Sequence, residues 1–122
     1  METALWIAQG ILAATFCWSA YCKGTWDRDR LVAHGQTGVQ GLSMRVIRFI
    51  ALSEVLGGVG LVLPWITGTA RWLTPAAAIG LGIIMVLAAV VHTRLREPRN
   101  VLANLLLLFA CGFVAVGRGT AR

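Results

Sequence analysis

Trp72 to Thr93 reads WLTPAAAIGLGIIMVLAAVVHT, an apolar run whose only ionisable residue is His92. A helix of about 20 apolar residues crosses a hydrocarbon core of about 30 Å, so this stretch alone can span a bilayer. Downstream, a short basic turn from Arg94 to Arg99 leads into a second uncharged run, Asn100 to Gly117. So short a connection makes the two helices antiparallel neighbours. Upstream, Phe49 to Leu63 carries one charge, Glu54, and Thr3 to Cys22 carries none. The expected helices are therefore about 3–22, 45–63, 73–93 and 100–117. Pro64 and Gly68 are expected to end the second. Pro75 falls in the first turn of the third, where its missing N–H costs little, and Pro98 separates the last two.

The composition agrees. Of 122 residues, 57% are hydrophobic and 13% charged, with a mean hydropathy of +0.74. Soluble domains are roughly 45–50% apolar and about 25% charged. A soluble chain this small could not hide so much apolar surface, whereas lipid solvates the outside of a membrane bundle. The fold class read from the sequence is all-α: a single integral membrane domain over 1–122, an antiparallel four-helix bundle with the bilayer as its main partner. The first helix begins with Glu2 rather than a basic segment and runs into Trp18, Tyr21, Cys22 and Lys23, so it is expected to stay as a membrane helix rather than act as a cleaved signal.

The net charge of +6 does not point to nucleic acid, because the basic residues cluster at span ends and in short loops. Counting Lys and Arg gives the orientation. Lys23, Arg28, Arg30, Arg45, Arg48, Arg94, Arg96 and Arg99 lie at one end, and Arg71, Arg118 and Arg122 at the other. The positive-inside rule then places both richer connections in the cytoplasm and both termini outside the plasma membrane. The connection from Gly24 to Met44 is long for a compact domain and is expected to lie on the membrane surface or fold back over the mouth of the bundle. Trp6, Trp26, Trp65 and Trp72 fall near span ends, as interfacial anchors do. Cys17, Cys22 and Cys111 form no C-x-x-C, so neither a thiol relay nor a zinc site is signalled. No haem ligand pair, flavin fingerprint or metal motif implies a cofactor.

The polar residues inside the spans carry the functional reading. An ionisable group there is expensive and suggests function by default. Glu54 is the clearest: Gly57 and Gly58 share its helix face, and small residues mark close helix approach, so it is expected to face the interior. His92 on the third helix, Asn104 on the fourth and Lys23 at the end of the first lie at a similar depth in the assumed spans. Glu54 and His92 are the candidate acid–base residues. Asn104, Lys23, Arg48 and Trp18 are candidates for binding a substrate. The plainer alternatives are that Glu54 and His92 pair to fix register, that Lys23 and Arg48 snorkel, and that Asn104 is interhelical glue. Gln9, about 21 Å along the first helix from Lys23, has no part in that cluster.

RFIALSEVLGGVGLVLPWITG (Arg48–Gly68) resembles the second helix of DoxX-like membrane proteins, in which a Glu precedes a glycine-rich turn and Gly-Leu-x-Leu-Pro. WLTPAAAIGLGIIMVLAAVVH (Trp72–His92) resembles the third helix, with its His before a basic turn, and NLLLLFACGFVAVGR (Asn104–Arg118) resembles the fourth. ALWIAQGILAATF with Lys23 resembles the first, although Ala20 stands where the family usually has Gly. The resemblance implies four helices and a polar interior. It implies no one activity: the family name comes from a membrane subunit associated with thiosulfate and quinone oxidation, and other members are linked to redox complexes. Three functions follow as expectations: a membrane component holding a quinone-like or other lipophilic small molecule in a redox or oxidative-stress system; an acid–base enzyme such as an isomerase, cyclase or epoxide-opening enzyme; or a helper subunit for a membrane or cytoplasmic protein, without chemistry of its own.

Overall fold

The computed structural model describes residues 1–120; Arg122, counted above for orientation, lies outside them. Four long helices form the bundle: α1 (Glu2–Thr25), α3 (Met44–Thr67), α4 (Leu73–Arg94) and α5 (Pro98–Thr120). A short helix, α2 (Arg28–Ala33), and a single 3-10 turn (Thr37–Val39) fill the long connection. Each long helix is long and apolar enough to cross a membrane. Chain neighbours run antiparallel, α1 packs on α3 and α4 on α5, and the ring closes through α3–α4 and α1–α5. Leu12, Phe16, Leu61, Leu81, Met85 and Val114 fill the middle of the bundle. Phe49, Leu56, Ile83, Leu87, Phe109 and Val116 point outward, as side chains that face lipid do.

Pro64 does not end α3. It lies within the helix, which runs on to Thr67 and stops at Gly68, whose φ of 70° is the left-handed conformation of a helix C-terminus. A proline cannot donate to the carbonyl four residues back, which here belongs to Gly60. Thr74 supplies the missing donor: its Oγ1 bonds the Gly60 carbonyl at 2.7 Å. In a bilayer a freed backbone carbonyl has no water to turn to, and a neighbouring Thr is a usual remedy. A residue on α4 thus keeps α3 helical through its proline.

The long connection folds back over one end of the bundle. Asp27 caps α2 by accepting from the Arg30 N–H at 2.8 Å. Gly35, at φ 93°, terminates it, with the Gly35 and Gln36 N–H groups returning to the Val32 and Leu31 carbonyls. Leu31 and Val39 bury themselves against Cys22 and Ile47. Arg28 donates twice to the Leu42 carbonyl, at 2.9 and 2.6 Å. The connection is thus a packed cap with its own small core, rather than a structureless loop.

Candidate functional site

Glu54 sits on the α3 face that meets both neighbours. A Cβ at Gly57 would press on Leu81 of α4 at 2.7 Å, and one at Gly58 on the Cys17 sulfur of α1 at 2.8 Å. Both helices can close on α3 only because these residues are glycines, and Glu54 is turned inward between them, 1% exposed. Lys23 reaches it from the end of α1. Its Nζ donates to Oε1 at 2.7 Å, from a side chain 12% exposed. A lone buried carboxylate would carry a large desolvation cost, and an ammonium in contact offsets it.

His92 is held elsewhere. Gly57 against Leu81 and Gly60 against Ala77 fix the register of α3 on α4. That register puts His92 level with Arg45 and Val46, about 12 Å along the axis from Glu54. Its ring nitrogen Nδ1 instead shares a 2.7 Å hydrogen bond with Glu97. The turn after α4 makes this pairing. Arg96 takes the left-handed conformation at φ 58°, and the N–H groups of Arg96 and Glu97 bond back to the Thr93 and His92 carbonyls, which is the Schellman arrangement. Glu97 is thereby folded onto the residue five positions before it. Thr37, in the 3-10 turn, donates to the same Glu97 oxygen at 2.7 Å. These bonds, His92 first, hold the Glu97 carboxyl below its usual range against partial burial. The sequence reading missed Glu97. It belongs to a loop charge run, and only the left-handed turn brings it to His92.

Asn104 of α5 is buried, and its Nδ2 has no hydrogen-bond partner. Gly82 against Leu108 and Cys111, and Gly117 against Leu5, set the register of α5 on its neighbours. Asn104 then lies within about one helical turn of the depth of Glu54. Arg48 does not enter the interior. Exposed at the end of α3, its Nη1 donates to the carbonyls of Lys23 and Trp26 at 2.6 and 3.0 Å, so it caps α1. Trp18 does not line the interior either. It is 61% exposed, stacks on Tyr21 and meets Trp26 edge-on, which is the placement of an interfacial aromatic. Of the six candidates, Glu54 and Lys23 are in contact, Asn104 lies within about one helical turn of their depth, His92 lies nearer the cap, and Arg48 and Trp18 face outward.

A second polar cluster, absent from the sequence reading, closes the opposite end. Arg118 of α5 is 2% exposed. Its Nε donates to the Oε1 of Gln9 on α1 at 2.7 Å, and its Nη1 to both carboxylate oxygens of Glu2 at 2.7 and 2.9 Å. The Gln9 amide donates in turn to the Leu61 carbonyl on α3. The guanidinium also lies over the Trp65 ring, 4.0 Å from its centre. One signal was present: Gln9 and Arg118 fall on the inward faces of their helices, among Leu5, Leu12, Cys111 and Val114.

Four apolar helices in a ring, with buried ion pairs on either side of an apolar middle, define a multi-pass membrane protein. The chain belongs to the DoxX-like family, whose model matches residues 7–114. No curated protein and no solved structure matches it significantly.

Proposed function

We propose that the chain is a binding protein of the cytoplasmic membrane that takes the polar head of a lipophilic small molecule, quinone-like in its chemistry, into the interior at Glu54, Lys23 and Asn104. The observation that carries this reading is the buried Asn104 Nδ2, a donor with no partner, at nearly the depth of the Glu54–Lys23 pair. A buried N–H costs about 1–3 kcal/mol if left unmade, and a carbonyl oxygen of a bound ring would satisfy it. The Lys23 ammonium, held by Glu54, offers further donors to a second carbonyl. A redox or oxidative-stress system is the setting in which such a ligand would be used.

Titration of a short-chain benzoquinone into the detergent-solubilised protein tests this. Asn104→Leu should weaken binding about tenfold, the worth of one good buried hydrogen bond. Equal binding by parent and variant would exclude the reading.

The Glu54–Lys23 contact itself favours a second reading, an acid–base enzyme. A carboxylate and an ammonium 2.7 Å apart and largely buried can hand a proton to and from a bound lipophilic substrate. Glu54→Gln would then fold normally and lose about 10²–10⁴-fold in turnover, whereas a pure binding role predicts a change in affinity alone.

The orientation we propose has the cap in the cytoplasm and the termini outside. Lys23 and Arg118 are taken up inside the bundle, and leaving them out makes the charge count seven against two, which supports the same side. A cysteine placed at Gly41 of the same cap, which is exposed and has open space for a Cβ, should react with membrane-impermeant reagent only after the cells are opened.

A further inference from the structure

Two buried nitrogens at the Arg118 end have no hydrogen-bond partner: Nη2 of Arg118 and Nε1 of Trp65. They belong to groups in contact, since the guanidinium carbon lies 4.0 Å from the centre of the Trp65 ring. Trp6 flanks the same guanidinium at 5.3 Å. The opposite face of the problem is charge. Arg71 also lies over Trp65, at 4.5 Å, so two guanidiniums share one indole. Glu2 is in direct contact with Arg118, whose Nη1 it takes. Two cations against one carboxylate leave room for one negative charge. Two unpaired N–H donors set beside that charge ask for an oxyanion with at least two acceptor oxygens. Glu2 is the movable part: its side chain is 64% exposed, so it can shift beside the guanidinium without disturbing the core. The depth is that of an interface, with Trp6, Trp65 and Trp72 near the span ends.

We propose that this end of the bundle is a phosphate site, filled by the phosphodiester of an anionic phospholipid in the leaflet that meets the termini. Nη2 of Arg118 and Nε1 of Trp65 donate to the two free phosphate oxygens, and Arg71 faces the headgroup from the water side. A guanidinium suits this task because its separate N–H groups can hold Gln9, Glu2 and the phosphate at once, and it cannot lose its charge. The site stands apart from Glu54, beyond the apolar core, and does not depend on the ligand proposed there.

The test compares lipids on the full chain in detergent, by native mass spectrometry and thermal shift. Phosphatidylglycerol should be retained and should raise the melting temperature more than phosphatidylcholine. Trp65→Phe keeps the ring but removes its N–H, and should weaken retention severalfold. Arg71→Gln, at an exposed position, should weaken it less. Arg118→Lys should weaken it about tenfold, because one ammonium cannot hold Gln9 as Nε does and reach the phosphate as Nη2 does; if that variant does not fold, Trp65→Phe decides. Equal retention of the two lipids, or parental retention by Trp65→Phe, would overturn the proposal. Saturation by inorganic phosphate with no preference for the lipid would overturn the lipid as the source. No shift with either would overturn the site.

Discussion

The two ends of the bundle each bury an ion pair, but they bury opposite partners. At the capped end the carboxylate is the hidden group: Glu54 is 1% exposed and Lys23 12%. At the other end the cation is hidden: Arg118 is 0% exposed and Glu2 64%. The difference lies in what remains when one partner is removed. Loss of Lys23 strands a carboxylate inside the bundle, while loss of Arg118 strands one that already reaches water.

The largest effect should therefore come from Lys23→Met, which is expected to cost about 3–5 kcal/mol of stability in detergent, as for other buried pairs broken on one side. Adding Glu54→Leu should return most of that loss; a double variant as unstable as the single one would show that Glu54 was not the stranded group. Arg118→Met should cost less, about 1–3 kcal/mol, because it orphans the buried Gln9 oxygen but no buried charge. Denaturant unfolding of the three variants in one detergent gives the order directly, and equal losses from Lys23→Met and Arg118→Met would break the comparison.

A smaller effect probes the packing that turns Glu54 inward. Gly58→Ala places a Cβ against the Cys17 sulfur at 2.8 Å and the Ala13 carbonyl at 3.4 Å. The sulfur, under 3.0 Å, must shift, and the α1 backbone beside it leaves the new methyl little other room, so about 1 kcal/mol should be lost. Gly10→Ala, with open space around it, should lose nothing by contact and serves as the control.

The smallest effect is on the cap. The Glu97 carboxyl is held below its usual range, chiefly by His92 and then Thr37. A carboxylate with a depressed folded pKa contributes stability above its unfolded value, about 4.3, and loses it as pH falls through the lower folded value. Amide protection over residues 36–42, measured against the intrinsic exchange rate at each pH, should therefore persist from pH 8 down to about pH 4 on account of Glu97 and fall only below that. Glu97→Gln should reduce that protection above about pH 4 and change it little at lower pH, where the parent has already lost the carboxylate. A cap that loosens between pH 7 and 5 in the parent would place the controlling titration on another group.

The fold was largely legible before any coordinates. Four uncharged or nearly uncharged runs gave the spans, and the turn from Arg94 to Arg99 made α4 and α5 neighbours. Pro64 misled, because its effect depends on Thr74, ten residues on and across a turn, which takes the carbonyl that Pro64 leaves free. The site was legible in part. Glu54 announced itself as a charge in an apolar run with glycines on its face, whereas Arg118 looked like an ordinary basic residue at a span end. Only the approach of Gly117 to Leu5 draws α5 against α1 closely enough to cover it.

The sequence by itself determined that the chain crosses a bilayer four times and that Glu54 must be compensated, since hydropathy and the cost of a bare charge in hydrocarbon are local properties of the chain. Tertiary structure alone decided by what. Partner choice depends on axial register, and register is set where glycines let helices touch. Gly57 on Leu81 and Gly60 on Ala77 slide His92 about 12 Å past Glu54, leaving the carboxylate to Lys23 and the imidazole to Glu97.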